Sequence, residues 1–216
     1  KELNCELILL CASTISTLRI LLNSEKESCD SGFIDTSGKL GRYLMDHVSI
    51  SKFFAIQHKD KFPRKSLDPA PLSGAGSFFI PFGTNVPYSP DFLRGYGIWG
   101  AIDRLGIPAF LKKEKNESIG FLISHGEVLP RRDNRVKLSN QKDEWDIPIP
   151  NIEFEWSDNE YKMIKHMSNS MEEAINCSGG KVKNLQSMLK IPFLNLLENN
   201  SIALSGEIPP PGYYIH

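Results

Sequence analysis

The stretch from Ser118 to Trp156 constrains the fold more than any other part of the chain. Three strand patterns follow one another across it, at residues 119–124, 135–139 and 147–156, with short polar turns between them. The first pattern is apolar on both faces, and the other two alternate apolar with polar positions. Strands joined by such short turns pair antiparallel. The stretch therefore predicts an antiparallel meander that needs a cover on its apolar face.

A helix pattern directly after this stretch can supply the cover. Residues 159–176 follow Asp158, a good helix cap, and end before Gly179 and Gly180. Their apolar stripe is Met163, Ile164, Met167, Met171, Ala174 and Ile175. A methionine-rich stripe at helical spacing is more typical of a packed core than of a cofactor contact.

Shorter strand patterns precede the meander, at residues 47–56, 77–81 and 94–101. A charged, proline-rich segment at 57–73 predicts an exposed flap, and residues 83–91 predict a loop. The strand at 94–101 alternates glycine with large residues, so Tyr96 and Trp99 are candidates to line a cavity. The alternative, which the pattern favours, is a glycine-bearing strand packed closely against another backbone.

The N-terminal segment has the pattern of a different fold. Residues 5–12 are continuously apolar, which is typical of a strand in a parallel sheet, and Ser13 or Thr14 can cap a helix at 15–23. Where a domain binds a nucleotide, the phosphate or ribose commonly lies at a turn of this kind. Most such turns, however, bind no ligand. The residues alone thus predict an α+β domain attached to part of an α/β domain.

Composition excludes several classes of function. The net charge of −1 argues against nucleic-acid binding, and the longest apolar run, residues 7–12, is too short to span a bilayer. The four cysteines (Cys5, Cys11, Cys29 and Cys177) form no CxxC pair and have no metal-ligand spacing with the histidines. They predict small buried core residues, no metal site and a reducing, cytoplasmic compartment. Because the chain has no initiator Met and both of its ends lie directly beside predicted structure, we expect it to be a piece of a longer polypeptide.

Several segments, in order along the chain, resemble the glucose–methanol–choline (GMC) family of flavin oxidoreductases. Residues 10–24 (LCASTISTLRILLNS) are similar to the pattern A-G-x-x-x-S-P-x-L-L-L-x-S, and residues 41–47 (GRYLMDH) to G-R-N-L-x-D-H. Residues 126–138 (GEVLPRRDNRVKL) with 142–148 (KDEWDIP) resemble G-E-x-x-P-x-x-x-N-R-V-x-L and K-D-x-W-G-I-P. Residues 210–216 (PPGYYIH) resemble the run into H-x-x-G-T-x-R-M-G, and residues 92–97 (FLRGYG) match one bacterial branch. Ser13 replaces the Gly of the first pattern, Tyr43 replaces the usual Asn of the second, and Asp146 stands where Gly is common.

The resemblance implies a domain layout. Residues 1–36 would be the last strand and helix of an FAD-binding α/β domain. Residues 37–208 would be an α+β substrate-binding domain, an antiparallel sheet flanked by helices, and 209–216 the run into the catalytic motif. The missing parts of the FAD domain would lie elsewhere in the same polypeptide.

The resemblance also implies an activity, the oxidation of a CH–OH group of an alcohol or sugar by hydride transfer to N5 of FAD. In this resemblance His216 aligns with the family's catalytic histidine. A histidine suits the role of base, because a neutral imidazole can accept the hydroxyl proton. The resemblance implies that Ala12, Ser13 and Thr14 contact FAD. It implies the same for Asp46 and His47. Taken alone, His47 and His125 are more typical of structural histidines. A non-enzymatic α+β module that binds a peptide or carbohydrate is the alternative, and the substrate and the electron acceptor stay open.

Overall fold

The computed structural model describes residues 5–27, 35–57, 76–82, 91–199 and 208–212. Its elements are α1 (Thr14–Glu27), β1 (His47–Gln57), β2 (Gly76–Phe82), β3 (Tyr96–Ile102), a 3₁₀ turn (Ala109–Leu111), β4 (Glu117–Glu127), β5 (Arg135–Lys142), β6 (Pro148–Glu153), α2 (Asp158–Cys177), β7 (Gly180–Val182), α3 (Leu185–Met188) and α4 (Leu194–Asn199). Antiparallel sheets with flanking helices confirm the α+β prediction. Most of the predicted flap and the loop predicted at 83–91 lie outside the described residues.

The described chain divides into two compact units. The first contains the chain up to Asp46 and Pro130–Glu155, and the second contains His47–Leu129 and the described chain from Trp156 onward. The assignment of residues 1–36, 37–208 and 209–216 to parts of a flavoprotein stays a prediction.

The second unit is built on a five-stranded sheet in the order β2-β3-β4-β1-β7. Its strands pair antiparallel, and β4 pairs with β1 from Glu117↔Gln57 to Glu127↔His47. The strands predicted at 47–56, 77–81 and 94–101 are confirmed as β1, β2 and β3. β4 is central because its sequence is apolar on both faces, which requires neighbours at both edges and covers on both sides.

The predicted three-stranded meander is wrong in its pairing, although its three strands are present. β5 and β6 form a separate two-stranded sheet in the first unit, while β4 pairs with β1 and β3 in the second. Pro130 follows β4 and cannot donate to a ladder. β4 thus pairs with β3, the strand before it, and with the distant β1 rather than with β5, and local turn patterns do not reveal this choice.

Helix α2 covers one face of the five-stranded sheet. Its apolar stripe is buried at Met163, Ile164, Met167, Met171 and Ile175, as predicted for a core helix. Burying each of these side chains contributes roughly 1.5–3 kcal/mol. The N-cap is Ser157, one residue before the predicted Asp158, and it forms a capping box with Glu160.

The opposite face of this sheet is covered at one end. There Ala55 and Ile119 pack with a buried cluster from α3 and α4 that contains Leu185, Met188, Leu189 and Leu194. At the other end, where β1 starts and β4 ends, His47, His125 and Phe79 are exposed. We call this end of the face the open face.

The first unit joins helix α1 to the β5–β6 hairpin. The Arg19 guanidinium pairs with Asp143 at 2.5 Å and donates to the carbonyl oxygens of Ile147 and Pro148. The backbone N–H of Val136 donates to the Gly41 carbonyl oxygen at 2.7 Å, which ties the segment before β1 to β5. The predicted helix at 15–23 is confirmed as α1.

The strand predicted at residues 5–12 is wrong. These residues form no strand and are exposed, with Leu7, Ile8 and Leu9 each more than 70% accessible. An apolar strand is buried only between neighbouring strands, and in the described part of the chain none pairs with it. The predicted burial of Cys5, Cys11 and Cys177 is also wrong, since all three are free and exposed. Among the helices that the structure describes, none has the length and apolar character to cross a bilayer.

Candidate functional site

A cavity of about 350 Å³ lies at the open face, within the second unit. It is bordered by the start of β1, the end of β4, the start of β3 and the end of β2. Two imidazoles, an apolar wall and a charged rim form its lining. Around it, alternate residues of antiparallel strands point to the same side, so side chains from four strands converge.

The two imidazoles belong to His47 and His125. In the β1–β4 ladder, His47 is paired with Glu127 and His125 with Ser49, which places the histidines diagonally on one face. Their ring centroids are 6.3 Å apart and their planes meet at 72°. Both side chains are exposed.

The surroundings of His125 keep its imidazole in the neutral form. Partial desolvation lowers the pKa of His125 below its ordinary value of 6.5, and positive charge on His47 lowers it further. A neutral imidazole offers one donor and one acceptor nitrogen. At neutral pH, His125 can therefore accept a proton from a bound hydroxyl group or donate a hydrogen bond to it.

The apolar wall comes from Phe79 and Pro81 on β2. Gly97, on β3, faces Pro81 in the ladder and lies under the Phe79 ring. A Cβ atom at Gly97 would stand 2.5 Å from that ring, so only glycine lets the ring lie in this position. The glycine-bearing strand thus packs closely, as the favoured interpretation expected, and the start of the strand also borders the cavity.

The charged rim consists of Arg94 and Glu127, which form an ion pair at 3.9 Å. Both side chains are more than half exposed, so the pair adds little to stability. Arg94 has a φ of 69°, a conformation that is uncommon for residues other than glycine. The positive charge of Arg94 is balanced by the Glu127 carboxylate at the mouth of the cavity.

The two predicted substrate contacts lie in different places. Tyr96 borders the cavity, and its hydroxyl group lies under the sheet, 2.6 Å from His166 Nδ1 and 3.0 Å from Ser170 Oγ on α2. Burial raises the pKa of Tyr96, and the Ser170 hydrogen bond opposes this rise. Trp99 lies further along β3 and packs edge-on against Phe121 at 5.4 Å. Both substrate contacts stay predictions.

The predicted cofactor contacts fall in two groups. Ala12, Ser13 and Thr14 are exposed at the start of α1, where Ser13 Oγ accepts from the Ser16 N–H. Thr14 borders a cavity of about 740 Å³ in the first unit, together with residues 35–37 and 39–45. Asp46 is buried and His47 borders the open-face cavity. The predicted catalytic His216 lies outside the described residues.

His125 borders the cavity, but the sequence pattern gave it a structural role and no place in a site. It occupies a strand of alternating residues, a position where most histidines are structural. Its side of the sheet follows only from the pairing of β4 with β1 and β3. In the described chain, no group of three or more His, Cys, Asp or Glu side chains could hold a metal ion.

The chain is similar to 2-methyl-1,2-propanediol dehydrogenase of Mycolicibacterium austroafricanum, with 25% identity over 205 residues. The alignment covers 88% of this chain and 37% of the relative, so the chain spans little more than a third of the relative's length. No protein-family profile matches the chain.

Proposed function

We propose that this chain is part of an FAD-dependent oxidoreductase of the GMC type, which oxidises a CH–OH group of a small alcohol or sugar. The observation that carries the proposal is the 205-residue alignment with a protein named as a dehydrogenase. It covers most of the chain, and the short segments that resemble the GMC patterns occur in the family's order along nearly the whole chain. An α+β unit with an open sheet face bordered by imidazoles is compatible with a substrate-binding role.

The first unit offers a partial fit to FAD. Thr14 at the first turn of α1 combines an exposed hydroxyl with the N–H groups of a helix N-terminus, which favour anionic groups. The adjoining 740 Å³ cavity has room for part of a dinucleotide. The sequence contains no GxGxxG phosphate loop, so this chain would hold only one part of the cofactor. When bound, FAD supplies the acceptor for the two electrons of the oxidation.

Histidines supply the acid–base chemistry in this proposal. Oxidation of an alcohol to a carbonyl compound removes a hydride from carbon and a proton from oxygen. A neutral imidazole that accepts the hydroxyl proton increases the electron density on oxygen and so weakens the adjacent C–H bond. We assign this role to His216, and His47 stays a candidate contact to FAD.

The absorption spectrum of the full-length protein tests the cofactor. We expect flavin bands in the visible region, which bleach on anaerobic addition of a substrate alcohol. A colourless protein that gains no flavin bands on adding FAD would overturn the proposal.

Reduction kinetics test the base. We expect His216→Ala to slow reduction by about 100-fold or more, the range typical of a lost general base. Glu173→Gln is the control variant, because Glu173 is an exposed residue of α2 that has no assigned role in the site. A His216→Ala protein that is reduced at the wild-type rate would remove His216 from the mechanism.

A second candidate is a non-enzymatic module that binds a carbohydrate or peptide. The exposed rings of Phe79 and Trp99 on one face of the sheet favour it, because aromatic faces stack on sugars and peptides. Binding of an oligosaccharide or peptide without any flavin in the full-length protein would favour this candidate over the oxidoreductase.

A further inference from the structure

We infer that Phe79 determines the width of the substrate that the open-face cavity accepts, because its ring, seated over Gly97, fills the space that a phenyl-sized group of a substrate would need. The inference rests on the proposed function and adds a specificity-determining residue to it. The cavity would take alcohols whose apolar part is a narrow chain. Removal of the Phe79 ring would admit alcohols that carry a ring of their own.

The position of the ring follows from the pairing of β2 with β3. Phe79 lies opposite Trp99 in the ladder, and Gly97 lies opposite Pro81. The Phe79 ring therefore reaches diagonally across the ladder to Gly97, a separation that aromatic side chains can span. It can lie against β3 there because glycine has no side chain. A Cβ atom at Gly97 would stand 2.5 and 2.7 Å from two carbon atoms of the ring.

The ring stands on the apolar side of the cavity. Phe79 and Pro81 line the cavity from β2, whereas three polar lining residues, His47, His125 and Glu127, come from β1 and β4. In the sheet, β2 and β1 lie on opposite sides of the β3–β4 pair. A substrate with one polar and one apolar end therefore places its apolar end against Phe79. The cavity volume of about 350 Å³ is near the lower end of the roughly 300–1,000 Å³ typical of small-molecule sites, so the space that one ring occupies matters.

The Phe79 ring can be removed with little loss of packing. It is 64% accessible to solvent, so truncation to alanine takes little buried apolar surface from the core. The three atoms nearest to the place of a Cβ at Gly97 all belong to the Phe79 side chain. Removal of the ring therefore leaves the space over Gly97 vacant, and a ring carried by a substrate can enter it.

Phe78, the neighbour of Phe79 on β2, provides the matched control. It lies opposite Gly100 in the ladder, and because successive residues of a strand point to opposite faces, its ring packs on the other side of the sheet. That ring is 3.3 Å from the place of a Cβ at Gly100. Phe78 is 38% accessible and is not among the described lining residues of the cavity. Phe79→Ala and Phe78→Ala thus each remove a ring from a glycine of β3, but only Phe79→Ala opens the cavity.

Oxidation of two alcohols by the full-length protein tests the inference. Ethanol and 2-phenylethanol share the reacting CH₂OH group and differ by one phenyl ring. We expect Phe79→Ala to raise kcat/KM for 2-phenylethanol about tenfold or more without raising that for ethanol, because the phenyl ring enters the vacated space. A purely structural role of Phe79 would instead lower both values together.

The control and a second variant keep the result decisive. Phe78→Ala should raise kcat/KM for neither alcohol, and Phe79→Leu replaces Phe79→Ala if the alanine variant does not fold. The inference would be overturned if the folded Phe79 variant showed no rise with 2-phenylethanol, or if Phe78→Ala showed an equal rise.

Binding of 2-phenylethanol separates this inference from the proposed function. Saturation-transfer difference NMR on its phenyl protons needs neither turnover nor flavin, and we expect Kd to be about tenfold or more lower in Phe79→Ala than in the wild type. If the ring were a platform on which ligands stack, its removal would weaken binding, and this result would overturn the inference. Oxidation of ethanol without any gain for 2-phenylethanol would leave the oxidoreductase proposal standing and remove the role of Phe79. Tighter binding of 2-phenylethanol by a Phe79→Ala protein that oxidises no alcohol would do the reverse.

Discussion

His47 and His125 lie diagonally across β1 and β4, with their ring centroids 6.3 Å apart on one face of the sheet. The pairing register fixes this relationship, because Ser49 is opposite His125 and Glu127 is opposite His47. The two histidines are remote from each other in sequence, and only His47 belongs to a segment that resembles a GMC pattern. Their convergence is therefore a product of the sheet.

The titration of His125 follows from this pair. Desolvation and the charge of His47 both lower the pKa of His125, so we expect its NMR titration midpoint to lie below 6.5. His47→Gln removes only the charge, so the midpoint should rise part of the way back towards 6.5. A midpoint in the wild type at or above 6.5 would contradict the prediction.

The same shift gives a pH dependence of stability. Below about pH 6.5 the unfolded chain binds a proton at this position more readily than the folded chain. The contribution of His125 to the free energy of unfolding is therefore complete above 6.5 and falls as the pH is lowered through its folded pKa. Urea unfolding of wild type and His125→Gln between pH 5 and 8 should show a difference that changes with pH in this direction.

Glu160 provides a second prediction, because it is fully buried at the start of α2. Its carboxylate accepts from the Leu129 N–H at 3.0 Å and from the N–H and hydroxyl of Ser157 at 2.7 and 2.6 Å. A glutamine would turn an amide NH₂ group toward some of these donors. We expect Glu160→Gln to lower the free energy of unfolding by about 1–3 kcal/mol. Glu173→Gln, an exposed position on the same helix, should change it by less than about 0.5 kcal/mol.

The effect of Glu160 should also depend on pH. Burial raises its pKa, but hydrogen bonds from Ser157, Leu129 and Asn159 outweigh burial and hold the pKa below its ordinary value. Its stabilising contribution is thus present above about pH 4.5 and is lost as the pH falls through the folded pKa. This assignment would be contradicted if the difference in unfolding free energy between wild type and Glu160→Gln stayed constant down to pH 3.

Local patterns predicted most elements of the fold but not their pairing. Alternation identified β1, β2 and β3, and the stripe from Met163 to Ile175 identified α2, because these signals depend on near neighbours in the sequence. The meander prediction failed because β4 pairs with β3, the strand before it, and with the distant β1 rather than with β5. The strand prediction for residues 5–12 was wrong because an apolar run forms a buried strand only where neighbouring strands cover it.

The candidate site was partly predictable. His47 and Tyr96 were singled out, and both border the open-face cavity. His125 was assigned a structural role, because the side of a strand that faces a cavity is set by pairing and by the helices that cover the other face. The glycine strand was recognised as closely packed, and Gly97 shows why, since the Phe79 ring occupies the space of its missing side chain.

Gly41 provides a third prediction, with a matched control in the same segment. Both Gly38 and Gly41 have positive φ, at 61° and 70°. A Cβ atom at Gly41 would collide with the backbone carbonyl oxygen of Val136, whereas one at Gly38 would meet nothing within 4 Å. We expect Gly38→Ala to cost about 1 kcal/mol from conformation alone and Gly41→Ala to cost about 1–3 kcal/mol more from the collision. Equal losses of unfolding free energy in the two variants would contradict the close approach of Gly41 to β5.

Asp146 provides a fourth prediction, because it adopts a conformation that suits glycine better. Its φ is 62°, in the turn between β5 and β6 where the GMC pattern has glycine. Its carboxylate pairs with Lys142 but is 84% exposed, so the ion pair contributes little. The turn keeps its main hydrogen bonds without this side chain, because the Asp143 carboxylate accepts from the N–H groups of Trp145 and Ile147.

We therefore expect Asp146→Gly to raise the free energy of unfolding by about 0.5–1 kcal/mol, the relief of left-handed strain less the added freedom of the unfolded chain. Glu144→Gly is the matched control, since Glu144 lies in the same turn and is exposed but has no positive φ. The control should lower the free energy of unfolding, because glycine there adds freedom to the unfolded chain and relieves no strain. Urea unfolding at pH 7 measures both variants. A loss of stability in Asp146→Gly equal to that in Glu144→Gly would show that the strain at Asp146 is already compensated within the turn.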